Sequence, residues 1–159
     1  MNKVVSNATP IISLASVNKL SLLKDLFKKV YVPRAVVNEI ITGKYPGHKE
    51  LHEDYFEILD VKNKINLSFL LNDLDLGEAE TIVAAKEIEA DLLLIDERLG
   101  YKIAQLQGFT VIGTLTVLLK AKKKGLIKLV KPILDDMIQN GRWYSRSVYE
   151  HYLKTIGEL

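Results

Sequence analysis

Four positions in this sequence combine an oxygen-bearing side chain with a place at the end of an apolar segment or near the start of a helical one. They are Asn7, Glu39, Glu78 and Asp96, with Glu80 and Glu97 as close neighbours of the last two. Carboxylate and amide oxygens are the ligands that hard divalent cations such as Mg²⁺ and Mn²⁺ prefer. These residues therefore predict a divalent-cation site, provided that the fold brings their separate segments together.

The elements that must position these residues are short strands alternating with helices. Apolar segments predict strands over residues 3–6, 29–32, 56–61, 91–95 and 109–112. Helical patterns occupy residues 10–17, 21–28, 33–41, 78–89, 97–107 and 114–124, and two more helices are predicted within 126–159 on either side of Asn140-Gly141. The segment DLLLI is a continuous apolar run, which suits a strand covered on both faces. This alternation predicts a parallel sheet with helical crossovers, an α/β sandwich.

The predicted topology places most of the candidate residues at one edge of the sheet. The carboxyl ends of parallel strands, and the starts of the helices that follow them, lie on the same rim. Asn7, Glu78 and Asp96 occupy such positions, whereas Glu39 reaches the rim only if its helix leans over it. We therefore predict that the side chains of these four residues converge in one solvent-accessible pocket.

Each candidate residue also has a local explanation that involves no cation. Asn7 and the Thr9-Pro10 pair suit an Asx turn and a helix start. Glu78 follows an aspartate by three residues, which is the spacing of a capping box. Asp96 can cap the helix that follows it, and Glu39 can be a solvated surface residue. The sequence leaves these alternatives open for each residue taken singly, and the convergence of several of them favours a site.

Composition and charge restrict the class of protein. The chain is 48% apolar, has a net charge of +2 and contains no cysteine, which excludes disulfides and thiolate zinc sites. Its length favours one domain spanning 1–159 with a sizeable core. No apolar run approaches the roughly 20 residues of a membrane helix, so a soluble, cytoplasmic protein is expected. His48 and His52 have the spacing of a metal pair, but surface positions explain them because no further ligand accompanies them.

Four segments carry a resemblance to a known family. In chain order they read VVSNATPIISLA, VYVPRAVVNEI, LGEAETIVAAKEIEADLLLIDERLGYKIA and GFTVIGTLTVLLKAKKKGLI. They resemble a PIN domain, specifically a prokaryotic branch of PIN-like proteins, and the resemblance covers essentially the whole chain. It implies a three-layer α/β/α sandwich with a mainly parallel, roughly five-stranded sheet. It also implies a Mg²⁺- or Mn²⁺-dependent ribonuclease, of a kind that includes many toxins of toxin–antitoxin pairs.

The resemblance implies site residues as well. By position, the four metal-binding and catalytic residues of the family correspond to Asn7, Glu39, Glu78 and Asp96, with Glu80 and Glu97 as secondary metal ligands. Catalytic members carry an aspartate where this chain has Asn7, and an amide oxygen offers a cation a dipole but no charge. Two interpretations remain open. The chain is a metal-dependent endoribonuclease weakened or retuned at Asn7, or a non-catalytic PIN-like RNA-binding or protein-interaction module.

Basic residues indicate where RNA would bind. Five are candidates for phosphate contacts: Arg98, Lys102, Lys122, Lys123 and Lys124. The three lysines equally suit the last turn of a helix, where cations are favourable without any ligand. A second basic and aromatic group, suited to phosphate contact and base stacking, comprises Arg142, Trp143, Tyr144 and Arg146. The expected partners are RNA, a cognate antitoxin and a second copy of the chain, with no membrane.

Overall fold

A five-stranded, all-parallel β-sheet forms the centre of the computed structural model, which describes residues 2–159. The strands are β1 (Val4–Ser6), β2 (Val30–Pro33), β3 (Phe56–Leu59), β4 (Leu92–Leu94) and β5 (Val111–Ile112). They lie in the order β3-β2-β1-β4-β5, so β1 is central and pairs with both β2 and β4. The predicted parallel sheet is confirmed, although most strands are shorter than their apolar segments.

Within residues 2–159, nine α-helices surround the sheet. They are α1 (Ala8–Ala15), α2 (Ser21–Phe27), α3 (Arg34–Thr42), α4 (Lys64–Leu70), α5 (Leu76–Glu87), α6 (Arg98–Leu106), α7 (Thr114–Lys123), α8 (Lys131–Gln139) and α9 (Arg146–Thr155), and a 3₁₀ turn covers Glu50–His52. A membrane-crossing helix, which needs both length and an apolar composition, is not found in this part of the chain.

Side-chain alternation along the strands builds an apolar core on each face of the sheet. On β1, Val4 packs into one core and Val5 into the other, and both are fully buried. On β4, Leu93 lies in the core opposite to that of Leu92 and Leu94. This pattern follows from the period of two along a strand, and it explains the continuous apolar run of β4. Helices α1–α3 and α7–α9 complete one core and α4–α6 the other, which gives the three-layer α/β/α sandwich.

Two helix starts differ from the predictions because of their caps. Helix α1 begins at Ala8, earlier than predicted, and Asn7 is its N-cap residue. Helix α5 begins at Leu76, since Asp75 is the N-cap and accepts a hydrogen bond from the main-chain N–H of Glu78. Both changes bring a polar candidate residue to the rim at the carboxyl end of the sheet.

Helix α4 is absent from the sequence-based prediction. Its cap is recognisable, because the Asn63 side chain accepts a hydrogen bond from the main-chain N–H of Asn66 at 3.0 Å. Its apolar pattern is misleading, because Ile65 and Phe69 are exposed rather than directed into the core. The two C-terminal helices are confirmed, and they are separated near Gly141, whose φ of 112° is in the left-handed region that glycine tolerates.

Candidate active site

Asn7 and Glu97 meet at the carboxyl ends of β1 and β4. The Asn7 main-chain N–H donates to the Leu94 carbonyl (2.9 Å), and its buried amide Nδ2 donates to Glu97 Oε2 (3.0 Å). The Thr9 hydroxyl donates to the other carboxylate oxygen of Glu97. Asn7 and Glu97 both occupy N-cap positions, yet neither side chain caps its helix. Their polar atoms are therefore directed at each other across the rim rather than used as helix caps.

Glu78 is buried at the start of α5, within hydrogen-bonding distance of Asp75. The predicted capping box is confirmed: the Glu78 N–H donates to Asp75 Oδ1 at 2.8 Å, and Glu78 Oε1 accepts from the Asp75 N–H at 3.4 Å. The other oxygen, Oε2, points to α6, where a β-carbon on Gly100 would lie only 2.8 Å away. Gly100 thus lets α6 approach the Glu78 carboxylate closely, and a larger residue would push the two apart.

Three acids near Glu97 have a raised pKa, and burial is the main cause for each, with the charge of Glu97 as the smallest of several contributions. Burial is the main factor that raises the pKa of Glu78 to about 7, followed by the hydrogen bond and charge of Asp75 and by the charge of Glu97. Burial also raises the pKa of Glu39, with further contributions from Asp75 and Glu97. The charge of Glu97 likewise contributes to the raised pKa of Asp96. All three other acids therefore feel the Glu97 carboxylate, which the sequence ranks only as a secondary ligand.

Glu39 reaches the rim from α3, although most of its side chain is exposed. It lines an open cleft of about 420 Å³ together with Asp75 and Gly77. Gly77 also connects the cleft to Asn7, because the Asn7 Oδ1 atom lies 3.5 Å from the position that a β-carbon on Gly77 would occupy. Glu39 thus lies beside the start of α5, at the solvent side of the acid group.

The Asp96 carboxylate contacts the start of α7 and the C-terminal segment. Its carboxylate accepts hydrogen bonds from the Thr114 N–H (2.8 Å) and hydroxyl (2.5 Å), and its Oδ2 lies 3.6 Å from Nη2 of Arg142. Burial raises the pKa of Asp96, while these hydrogen bonds and the Arg142 charge oppose the rise. Asp96 therefore binds the start of α7. It does not cap α6, the helix that follows it, as its local explanation in the sequence suggests.

The remaining candidate residues lie at the margin of this group or away from it. Glu80 is buried and accepts a hydrogen bond from the Ala35 N–H (2.9 Å), so its carboxylate stabilises the start of α3. Arg98 and Lys102 are exposed on α6. Lys122 forms an ion pair with Glu158 (2.7 Å), and it shares with its neighbours Lys123 and Lys124 the far end of α7, roughly 15 Å along the helix from Thr114. The RNA-binding roles of all five basic residues stay predictions.

Four residues join the site without having been singled out for it in the sequence: Thr9, Asp75, Thr114 and Arg142. Asp75 carries a visible signal, since the capping-box spacing already pairs it with Glu78. Thr9 is recognisable as a helix-start residue but not as a partner of Glu97. Arg142 belongs to the basic and aromatic group of the sequence, but no local signal pairs it with Asp96, because only the fold brings the two together.

The donor set fits a hard divalent cation in its chemistry. It contains only carboxylate and amide oxygens, and the repulsion that helps to raise the pKa of Glu78 and Glu39 is what a bound cation would relieve. Within residues 2–159, no three acidic or imidazole groups are already arranged to hold a metal ion. Because Glu97 and Glu78 are engaged with Thr9, Asn7 and Asp75, binding a cation requires these side chains to exchange partners.

We expect Glu78 to titrate near pH 7 in metal-free protein. Asp75→Asn should lower the pKa of Glu78 towards its ordinary value, because an asparagine still caps α5 but carries no charge. The pKa of Glu78 is higher in the folded than in the unfolded protein. The contribution of this carboxyl to the free energy of unfolding is therefore fully present at low pH and is lost as pH rises through about 7. Carbon-detected NMR of the glutamate carboxyl groups measures the titration. A Glu78 carboxyl that titrates in the ordinary acidic range contradicts the described repulsion.

A protein-family model described as a PIN domain matches residues 3–158, which is essentially the whole chain. No curated protein matches the sequence.

Proposed function

Because the chain belongs to the PIN-domain family, we propose that it is a divalent-metal-dependent endoribonuclease that hydrolyses RNA phosphodiester bonds. The family supports a nuclease-type activity in general. The observation that carries the specific proposal is the acid group around Glu97, in which burial and like charges raise the pKa of Glu78 to about 7. Acids whose pKa differs strongly from the ordinary value are typical of functional sites.

We assign Mg²⁺ or Mn²⁺ as the cofactor and the oxygen atoms around Glu97 as its ligands. The ligand set comprises Asn7, Glu39, Glu78, Asp96 and Glu97; Glu80 is a poorer candidate because it already binds the start of α3. When bound, such an ion activates a water near neutral pH and neutralises charge that develops on the phosphate. The chain's own contribution is orientation: Asn7 and Thr9 hold Glu97, while Thr114 and Arg142 hold Asp96.

A cleavage assay on a mixed pool of single-stranded RNA tests this proposal. We expect cleavage with Mn²⁺ or Mg²⁺ and none with EDTA, at a fixed salt concentration because RNA affinity depends steeply on ionic strength. Calorimetric titration with Mn²⁺, on the wild type and on Asp96→Ala, separates a metal-binding site from an empty one before any RNA target is known. Cleavage that continues in EDTA contradicts the proposed chemistry.

The second candidate function is a non-catalytic RNA-binding or protein-interaction module. It is favoured by the present state of the acids, since Asn7 donates to Glu97 at 3.0 Å and so satisfies internally an oxygen that a cation would need. A protein that binds RNA but neither Mn²⁺ nor Mg²⁺ would establish this second function and exclude the first.

For the biological setting, we propose a cytoplasmic toxin–antitoxin pair and a homodimeric assembly. The surface that we assign to the dimer is on α4, where Ile65 and Phe69 are 74% and 69% exposed. Residues four apart on a helix lie on one face, so these two side chains form a continuous apolar contact. Three tyrosines of the C-terminal segment pack against the core instead, which leaves them less suited to this role.

We expect the double substitution Ile65→Lys and Phe69→Lys to convert a dimer into a monomer at micromolar protein concentration. The reason is that two charges would have to be desolvated at the interface. Sedimentation equilibrium measures the change, and Leu106→Lys on α6 is the matched control because Leu106 is equally exposed on another helix. A wild-type protein that is monomeric across this range disproves the homodimer.

A further inference from the structure

The segment between α8 and α9 passes directly beside the acid group. Asn140 at its start donates from Nδ2 to the Ser16 carbonyl (2.8 Å), which fixes the segment to the end of α1. Two residues later, the Arg142 guanidinium lies 3.6 Å from Asp96. Among residues 2–159, this is the only ion pair formed by any of the site carboxylates. The segment therefore supplies the one cation in contact with an otherwise acidic rim.

Arg142 and Trp143 point in opposite directions from this segment. Arg142 turns inward, where its guanidinium stacks 4.5 Å above the ring of Tyr144 and its Nε donates to the Tyr144 hydroxyl at 3.2 Å. Trp143, the residue between Arg142 and Tyr144, is 76% exposed. It is the only tryptophan of the chain.

A cavity of about 260 Å³ lies between this segment and α1. Its walls include Thr9, the Tyr45-Pro46 pair and residues 140–142. Thr9 is the same residue that donates to Glu97, so the cavity adjoins the site on the side of the C-terminal segment. Arg142 lines the cavity and also contacts Asp96, so it connects the cavity with the acid group.

We propose that Arg142 and Trp143 bind single-stranded RNA at the entrance of the site, with a base stacked on the indole and an adjacent phosphate on the guanidinium. This inference rests on the proposed ribonuclease function and names the form of its substrate. An exposed aromatic ring binds any base through its face, whereas bases inside a duplex are not available for it. The 3.6 Å separation from Asp96 is longer than a hydrogen bond, so the partly exposed guanidinium retains donors for a phosphate.

The charge of the rim gives Arg142 a second reason to contact the phosphate. Three acids surround Glu97, and they repel a polyanion when no metal is bound. Arg142 partly offsets this repulsion where the RNA would enter. Its position over Tyr144 also limits its freedom, so less conformational entropy is lost when it binds a phosphate. The two residues therefore act as positioning groups for RNA, outside the metal-binding acids.

The single tryptophan allows a direct test in the presence of EDTA, where no cleavage can occur. We expect a short oligouridine strand to quench the Trp143 emission, and a duplex of the same length to quench it far less. Fluorescence anisotropy with labelled oligouridine measures the affinity of each variant. Trp143→Ala should bind about tenfold more weakly than the wild type, and Trp143→Phe should lose less affinity because its smaller ring still stacks on a base. Thermal melts of each variant confirm that it is folded.

Arg142→Gln should weaken binding and reduce by about one the slope of log affinity against log salt, because one phosphate contact is lost. Lys29→Gln is the matched control. It removes the same charge just before β2, at the opposite edge of the sheet, where the side chain is exposed and already paired with Glu57 at 3.2 Å. We expect its affinity and salt slope to equal those of the wild type. In a cleavage assay, Trp143→Ala should raise KM and leave kcat unchanged.

Three results would overturn the inference. The first is that the labelled strand binds the wild type without changing the Trp143 emission, and the second is that Trp143→Ala binds RNA as tightly as the wild type. The third is an emission that shifts with protein concentration and not with RNA, which would identify Trp143 as a contact between subunits. Because binding is measured without metal, RNA binding without any cleavage supports this inference and rejects only the nuclease. Cleavage that does not depend on Trp143 supports the nuclease and rejects the role of Trp143 in RNA binding.

Discussion

Glu78→Gln is expected to make the metal-free protein more stable and the metal-dependent cleavage at least about 100-fold slower. The loss of activity follows because residues that merely orient metal ligands already contribute about 10- to 100-fold, and Glu78 is assigned as a ligand itself. The gain in stability follows from the raised pKa of Glu78, since near pH 8 the folded protein carries a charge that burial and neighbouring acids disfavour.

The expected stability gain is about 1–2 kcal/mol near pH 8, or several degrees in Tm for a chain of this size. It should shrink as pH falls, because the wild-type Glu78 then becomes protonated and neutral as well. The capping box should survive, since glutamine is also favoured at this position of the box. Thermal melts in EDTA at several pH values, and cleavage assays with Mn²⁺, measure the two opposite effects.

Glu89→Gln is the matched control for this substitution. Glu89 lies just beyond the other end of α5 and is exposed, so the same loss of charge should change neither stability nor cleavage. A Glu78→Gln protein that cleaves RNA at the wild-type rate would remove Glu78 from the proposed site.

The sheet and the start of α5 are the parts that sequence patterns predict well. A continuous apolar run suits a strand with both faces covered, and β4 is such a strand. The spacing of Asp75 and Glu78 specifies a capping box whatever the rest of the fold does, because both hydrogen bonds are local. Helix α4 escapes prediction because Ile65 and Phe69 face solvent, which obscures the pattern of a half-buried helix.

The relative roles of Asp96 and Glu97 could not be predicted from their types. They are adjacent acids just beyond the end of β4, and no local pattern assigns a partner to either of them. The fold directs Asp96 to Thr114 and Glu97 to Asn7. Partners that are distant in the sequence also determine the contacts of other charged residues. Lys122 is one of several lysines in the sequence, and only the fold pairs it with Glu158.

Asn7→Asp is expected to tighten Mn²⁺ binding by about tenfold or more and to raise cleavage of single-stranded RNA. Metal affinity for hard cations rises with the number of anionic ligands, and the substitution adds one without changing the size of the side chain. In the metal-free protein it replaces a donor by an acceptor at the 3.0 Å contact with Glu97, so two carboxylates would face each other. We therefore expect the free energy of unfolding in EDTA to fall by about 1–3 kcal/mol.

The combination of a less stable metal-free form and tighter metal binding distinguishes a metal site from a structural contact. Melting with and without Mn²⁺ should show a larger stabilisation by metal in Asn7→Asp than in the wild type, because binding to the folded state adds to its stability. In EDTA, the variant should gain stability as pH falls, since a carboxyl with a raised folded-state pKa favours folding when protonated. Asn18→Asp, an exposed amide beyond the other end of α1, controls for the added charge. If Asn7→Asp is destabilised in EDTA but gains neither Mn²⁺ affinity nor cleavage, the contact with Glu97 is purely structural, and the interaction module replaces the ribonuclease.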